Sequence, residues 1–171
     1  MRGVPVVVDI NVLLDAVMSE DESAAFESFP SPPPLRGDAD ATVLGILNDA
    51  HEVALWLSPH ILDGVRRVLV AEDGFGWDRP NADRYALILE RIAVRSGGGV
   101  VTPTIRVTDC DDWEDNRILE LAATAGALLL ISNDDDLQRM SPWRGIPVMS
   151  AEAFVARIDV IRRSELRRAG A

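Results

Sequence analysis

The sequence predicts an α/β fold: a three-layer α/β/α domain whose parallel sheet has about five short strands. Two short apolar runs, Val4 to Val8 and Ala127 to Ile131, each empty into aspartates. That is the pattern of buried strands whose carboxyl ends open on a crevice. Between such runs lie segments with apolar residues at helical spacing, and this alternation means a parallel sheet covered on both faces. With 171 residues and 47% hydrophobic content, one domain with a real core is expected. We place it over 1–171, with the core at about 4–158 and a basic carboxyl-terminal helix or tail at 159–171.

The first strand runs from Val4 to Val8 and leads into Asp9-Ile10-Asn11. Val12, Leu13, Ala16 and Val17 then recur at helical spacing, which predicts a helix over Asn11–Met18. Ser19 to Phe29 reads as a second helical piece. Pro30-Ser31-Pro32-Pro33-Pro34 fits neither regular element, because proline fixes φ and removes donors. Helical spacing resumes at Ala41, Val43, Leu44, Leu47 and Ala50, with Asp40 as its cap. Glu52 to Ser58 is the second strand. Pro59 suits the first turn of a helix capped by Ser58, whose apolar face is Ile61, Leu62, Val65, Val68 and Leu69.

Gly74 to Pro80 reads as a loop, and a helix follows over about Asn81–Arg95 with Tyr85, Ile88, Leu89 and Ile92 on one side. Ser96-Gly97-Gly98-Gly99 ends it, and Val100-Val101-Thr102 is a short strand. The acidic run Asp109 to Asp115 precedes an amphipathic helix over Arg117–Ala125. After the strand that ends at Ile131 comes Ser132-Asn133-Asp134-Asp135-Asp136-Leu137. Ile146 to Met149 is a last short strand, and Ser150 caps a final helix through Phe154 and Ile158. Its basic end, Arg162 to Arg168, completes a helix carboxyl terminus or contacts RNA.

Composition excludes several functions. The net charge is -11, which argues against general binding to a nucleic-acid backbone, since that depends on basic patches. All 17 basic residues are arginine. Without lysine there is no P-loop lysine on a nucleotide phosphate and no Schiff-base chemistry. Receiver domains and haloacid-dehalogenase-type phosphatases, which also begin with a strand running into aspartate, normally use a lysine beside their acids. Cys110 is the single cysteine, so no internal disulfide forms and a reducing cytoplasm is expected. No apolar run approaches a membrane span, and we expect a soluble, cytoplasmic protein.

Three acidic stretches carry the chemistry: Asp9, the run ending at Asp115, and Asp134 with Asp136. Two carboxylates about 4 Å apart repel by about 4 kcal/mol at an effective dielectric near 20. Several gathered in one crevice therefore call for a cation, and all-oxygen ligands favour Mg²⁺ or Mn²⁺. The competing reading makes these aspartates helix caps and loop residues. The expected ligands are Asp9, Asp115 and Asp134. Asp136 is an outer ligand or a contact to a second metal, and Asn11 and Ser132 orient the acids. His51 and His60 are poor general bases, being away from the acid strands. Cys110 is inert, because neighbouring acids raise its pKa.

This arrangement resembles the PIN domain, a metal-dependent nuclease fold whose commonest bacterial members are the VapC-like ribonuclease toxins of toxin–antitoxin pairs. Val7-Val8-Asp9-Ile10-Asn11-Val12-Leu13 looks like the family's opening strand and D-x-N motif. Asp115-Asn116-Arg117-Ile118-Leu119-Glu120-Leu121-Ala122 looks like its third-acid helix, and Ser132 to Leu137 looks like its T/S-x-D-x-D-L segment. The resemblance implies an endoribonuclease acting on RNA, a small antitoxin partner with a basic segment, and a homodimer. One departure stands out. The family places a glutamate on the helix after its second strand, and here that position falls on Gly64 or, one residue away, on Asp63. Adjacent helix positions point about 100° apart, so if Gly64 holds the position the second acid is gone. The rival expectation is a catalytically silent PIN-like domain that binds RNA or a protein.

Overall fold

The computed structural model describes residues 3–18, 39–49 and 52–170. Five parallel strands form one sheet: β1 (Val4–Val8), β2 (Val53–Leu57), β3 (Gly99–Val100), β4 (Leu129–Ile131) and β5 (Val148–Met149). Their order is β3-β2-β1-β4-β5. The helices among the described residues are α1 (Ile10–Met18), α2 (Ala39–Asp49), α3 (Pro59–Val70), α4 (Arg79–Arg95), α5 (Trp113–Ala125), α6 (Asp135–Arg139) and α7 (Ala151–Ala169). None is long and apolar enough to cross a membrane. The expected helix over Ser19–Phe29, the proline loop and His51 lie outside the described residues.

The chain steps outward from β1 to β2 to β3, then returns across the sheet to β4 and β5. Because parallel crossovers are right-handed, this reversal carries α5 to the opposite face from the earlier helices and makes three layers. Val6, Val7, Val8, Leu55, Leu57, Leu130 and Ile131 are buried on both sides of the sheet. That explains why the strands are continuously apolar rather than alternating. Val8 lies opposite Ile131, so β1 and β4 end side by side where the winding direction reverses. Ligands bind at such switch points in open α/β sheets.

The helix starts have identifiable causes. Ser58 accepts the Ile61 N–H at 3.2 Å, Asp78 the Asn81 N–H at 2.8 Å and Ser150 the Ala153 N–H at 3.1 Å. The Asp78 cap corrects the expected boundary: Arg79 and Pro80 belong to α4, whose first turn tolerates proline. Asp40 likewise sits in the first turn of α2 rather than capping it, and its Oδ1 accepts from Asn133 at 2.7 Å. α7 runs on through the basic segment to Ala169. Arg162 there meets Glu52, just before β2, at 3.2 Å. The basic end of α7 therefore lies toward the amino edge of the sheet, opposite the edge where the acids emerge.

The turn from α4 into β3 depends on backbone contact. Ser96 Oγ accepts the Leu55 N–H and donates to the Ala93 carbonyl, both at 2.9 Å. Next to it, a Cβ added at Gly98 would overlap the carbonyl of Leu55. Backbone cannot swing aside as a side chain can, so Gly98→Ala should destabilise the fold by about 2 kcal/mol or more. Denaturant unfolding checks this, and an unchanged midpoint would show that β3 is less tightly seated.

Candidate active site

The two central strands deliver their acids through one hydroxyl. Asp9 follows β1 and donates its N–H to the Ile131 carbonyl at 2.9 Å, extending the ladder. Its Oδ1 accepts the Ile10 N–H at 2.7 Å, and its Oδ2 accepts from Ser132 Oγ at 2.7 Å. Ser132 is fully buried, and the same Oγ accepts the Asp134 N–H at 3.0 Å. Asp134 caps α6, taking the Asp136 and Leu137 N–H groups on Oδ1 at 2.8 and 3.1 Å. Asp134 thus serves as a helix cap and lines the cleft at once.

The third acid arrives from α5. Asp112 caps this helix by accepting the Glu114 N–H at 2.7 Å. Asn116 ties the preceding loop to it with paired bonds to Cys110, accepting from its N–H at 3.0 Å and donating to its carbonyl at 2.8 Å. Asp115, in the first turn, faces an open cleft of about 280 Å³ together with Asp9, Asn11, Gly64, Arg67 and Asp134. Two further acids of the run have other work. Asp109 holds Trp143 Nε1 at 2.7 Å and Arg144 at 3.1 Å. Glu114, on the cleft wall, meets His60 Nε2 at 2.6 Å and Arg67 at 3.3 Å.

The electrostatics register the crowding. Burial, together with the charges of Asp134, Asp112, Asp9 and Asp136, pushes the Asp115 carboxyl up to about 6. Burial also raises Asp9; its bonds from Ser132 and Ile10 oppose that, and the Asp134 and Asp112 charges add to it. Buried Asn11 Oδ1 has no hydrogen-bond partner among the described residues. An all-oxygen donor set, mutually repelling carboxylates and an unpaired buried acceptor fit a hard divalent cation. Among the described residues no three His, Cys, Asp or Glu side chains close on one metal-sized point. The acids rim an open cleft, in keeping with ions that keep several waters and few protein ligands.

Other sequence-stretch candidates fall elsewhere. Asp63 is 76% exposed, pairs with Arg66 at 3.1 Å and lines the groove between α3 and α4. Gly64 faces the cleft in its place, and a Cβ there would stand 2.8 Å from Ile10 Cδ1. Asp136 is 77% exposed and pairs with Arg139, outside the cleft lining. The Cys110 thiol is raised first by burial and then by Asp115 and the other acids, and it lies 3.2 Å from Met140 Sδ. His60, expected away from the acid strands, is not in the cleft lining, and it bonds the cleft-wall residue Glu114. His60, Gly64 and Arg67 recur at i, i+4 and i+7, one helix face, and that spacing was the available signal for both His60 and Arg67.

Neither curated proteins nor solved structures gave a match. Residues 5–136 match the family model described as the PIN domain, a span that takes in Asp9, Asp115, Ser132, Asp134 and Asp136. Proteins of this kind are generally nucleases that act on nucleic acid with divalent metal ions. With the match covering most of the chain and the parallel sheet built as that fold requires, the chain belongs to the PIN-domain family.

Proposed function

We propose that this chain is a Mg²⁺- or Mn²⁺-dependent endoribonuclease, the cytoplasmic toxin of a VapC-like toxin–antitoxin pair. The observation that carries the reading is that Asp9, Asp115 and Asp134, from three separated stretches, line one cleft at the carboxyl edge of the sheet. These three are the proposed metal ligands, with Asp136 as an outer contact. When bound, the cation would lower the pKa of a water and stabilise charge on the leaving oxygen.

The chain's own residues supply the positioning. Ser132 and the Ile10 N–H engage both carboxylate oxygens of Asp9, fixing its orientation. Asn11 offers, on the same side, an acceptor that no described residue pairs. Arg67, 66% exposed on the cleft wall, is placed to meet a substrate phosphate. A small antitoxin with a basic segment would complement the acidic cleft, and a second copy of the chain is the other partner this reading implies. A neighbouring reading frame for a small DNA-binding protein would support the pairing.

A second reading, a silent domain that binds RNA or protein, is favoured by Gly64. The cleft carries no acid at that position, and Ile10 occupies the space a side chain would need. Calorimetry with Mn²⁺ separates the two readings: the nuclease binds at micromolar concentration, whereas the silent module has no such requirement.

Three outcomes are expected. Single-stranded RNA should be cleaved with Mg²⁺ or Mn²⁺ and not with chelator, and Asp9→Asn and Asp134→Asn should each lower the rate by about 100-fold or more. Asn caps as well as Asp, so Asp134→Asn should keep its fold; cleavage equal to wild type by both variants would discard the assignment. Ser132→Ala should weaken Mn²⁺ binding by about 10- to 100-fold, read by calorimetry, and unchanged affinity would remove Ser132 from the site.

The third outcome concerns pH. The folded-state value of Asp115, about 6, lies above its ordinary 3.8, so folding favours its protonated form. Its contribution to stability is complete below about pH 4 and is lost as pH rises through about 6. Metal-free wild type should therefore lose melting temperature relative to Asp115→Asn across that window. A constant difference between the two would contradict the crowding of carboxylates around Asp115.

A further inference from the structure

We propose that Trp113 is a stacking platform for an unpaired RNA base at the rim of the acidic cleft, beside Arg67, which takes a neighbouring phosphate. The proposal rests on the nuclease reading for its substrate class, but its observations are separate. Trp113 is 55% exposed, while Trp77 and Trp143 are 6% and 5% exposed and Trp56 packs against the core. A large ring left in water is notable, because tryptophan is on average highly buried.

The ring is held in place. Trp113 is the first residue of α5, directly after the Asp112 cap. The His60 ring meets it in a T-shaped contact at 5.1 Å, and the Arg117 guanidinium carbon lies 5.2 Å from its centroid. Such a side chain has little conformational freedom left to lose on binding.

It also stands next to the proposed chemistry. The same His60 bonds Glu114 at 2.6 Å, Glu114 takes Arg67 at 3.3 Å, and both Glu114 and Arg67 line the cleft. Among the described residues Arg67 makes that one bond, through Nη2, and it is 66% exposed, leaving most of its fork toward a phosphate.

The charge of the chain explains why such a platform is needed. At a net charge of -11, long-range attraction for a phosphate backbone is absent. Base–aromatic stacking does not depend on charge and tolerates any base, since every base has a π-face. Stacking requires an unstacked base, so the platform favours single-stranded RNA or loops over duplex.

The test is binding, read in the full-length chain carrying Asp134→Asn so that the RNA survives. A labelled single-stranded RNA oligonucleotide and the same sequence as a duplex are titrated with Mg²⁺ present, following anisotropy and tryptophan fluorescence. Trp113→Ala should weaken single-strand binding by about 5- to 100-fold and abolish most of the fluorescence quench. Trp113→Phe should keep most of the affinity, and the weak duplex binding should not change.

Equal single-strand affinity in Trp113→Ala and its parent, an equal loss for duplex, or no single-strand binding by the parent would each overturn the proposal. Self-association that depends on Trp113, with no effect on RNA, would assign the ring to a protein contact and overturn it as well. Cleavage is not read here. A Trp113-dependent affinity in a chain that never cuts RNA would keep the platform while refuting the nuclease reading.

Discussion

A single buried hydroxyl connects the two halves of the cleft. Ser132 Oγ donates to Asp9 at the end of β1 and accepts from the backbone of Asp134 beyond β4. These strands are adjacent because the sheet reverses its winding between them, and their ends are level because Val8 pairs with Ile131. Without the hydroxyl, one oxygen of a buried carboxylate would lose its donor, a deficit of about 1–3 kcal/mol. The orientation of Asp9 and the position of the α6 cap would loosen together. Packing of the two strands, one bond between their loops and the convergence of acids are thus parts of one arrangement.

The acids themselves work against the fold. Asp115 and Asp9 are both raised by burial and by the carboxylates facing them, so keeping them ionised near neutral pH costs stability. Functional sites characteristically carry such perturbed groups. Elsewhere the charges are spent on structure. Buried Glu120 takes Arg117 at 2.8 Å, Arg106 at 3.2 Å and the Val107 N–H at 3.1 Å, fastening the loop before α5 along that helix. Asp109 fastens the 143–144 turn. The contrast separates acids whose partners are all present from acids gathered around open space.

What could be read in advance follows from the physics of each segment. β1 and β4 are runs of apolar residues ending in acids, so their burial and the edge at which Asp9 and Asp134 emerge were legible. α6 was not: it has five residues and one buried side chain, Leu137, too few for any periodicity to show. The start of α4 was hidden behind Pro80, which looks like a loop residue but suits a first turn. In the run Asp109 to Asp115, every charged member has the same sign, so charge alone did not separate a cap from a loop clamp, although Asp115 was singled out as the cleft acid. Arg67 was overlooked, and His60 was weighed only as a general base, because Gly64 was read only as a missing glutamate. Its helical face carries both of them toward Glu114.

The most direct measurement is the anomalous difference map of a crystal soaked in Mn²⁺. The account predicts a peak bounded by the carboxylates of Asp9, Asp115 and Asp134, absent from an Asp9→Asn crystal treated in the same way. A map with no peak in that cleft, or with one that persists unchanged in Asp9→Asn, would contradict the claim that the strand-end aspartates converge to hold a hard cation.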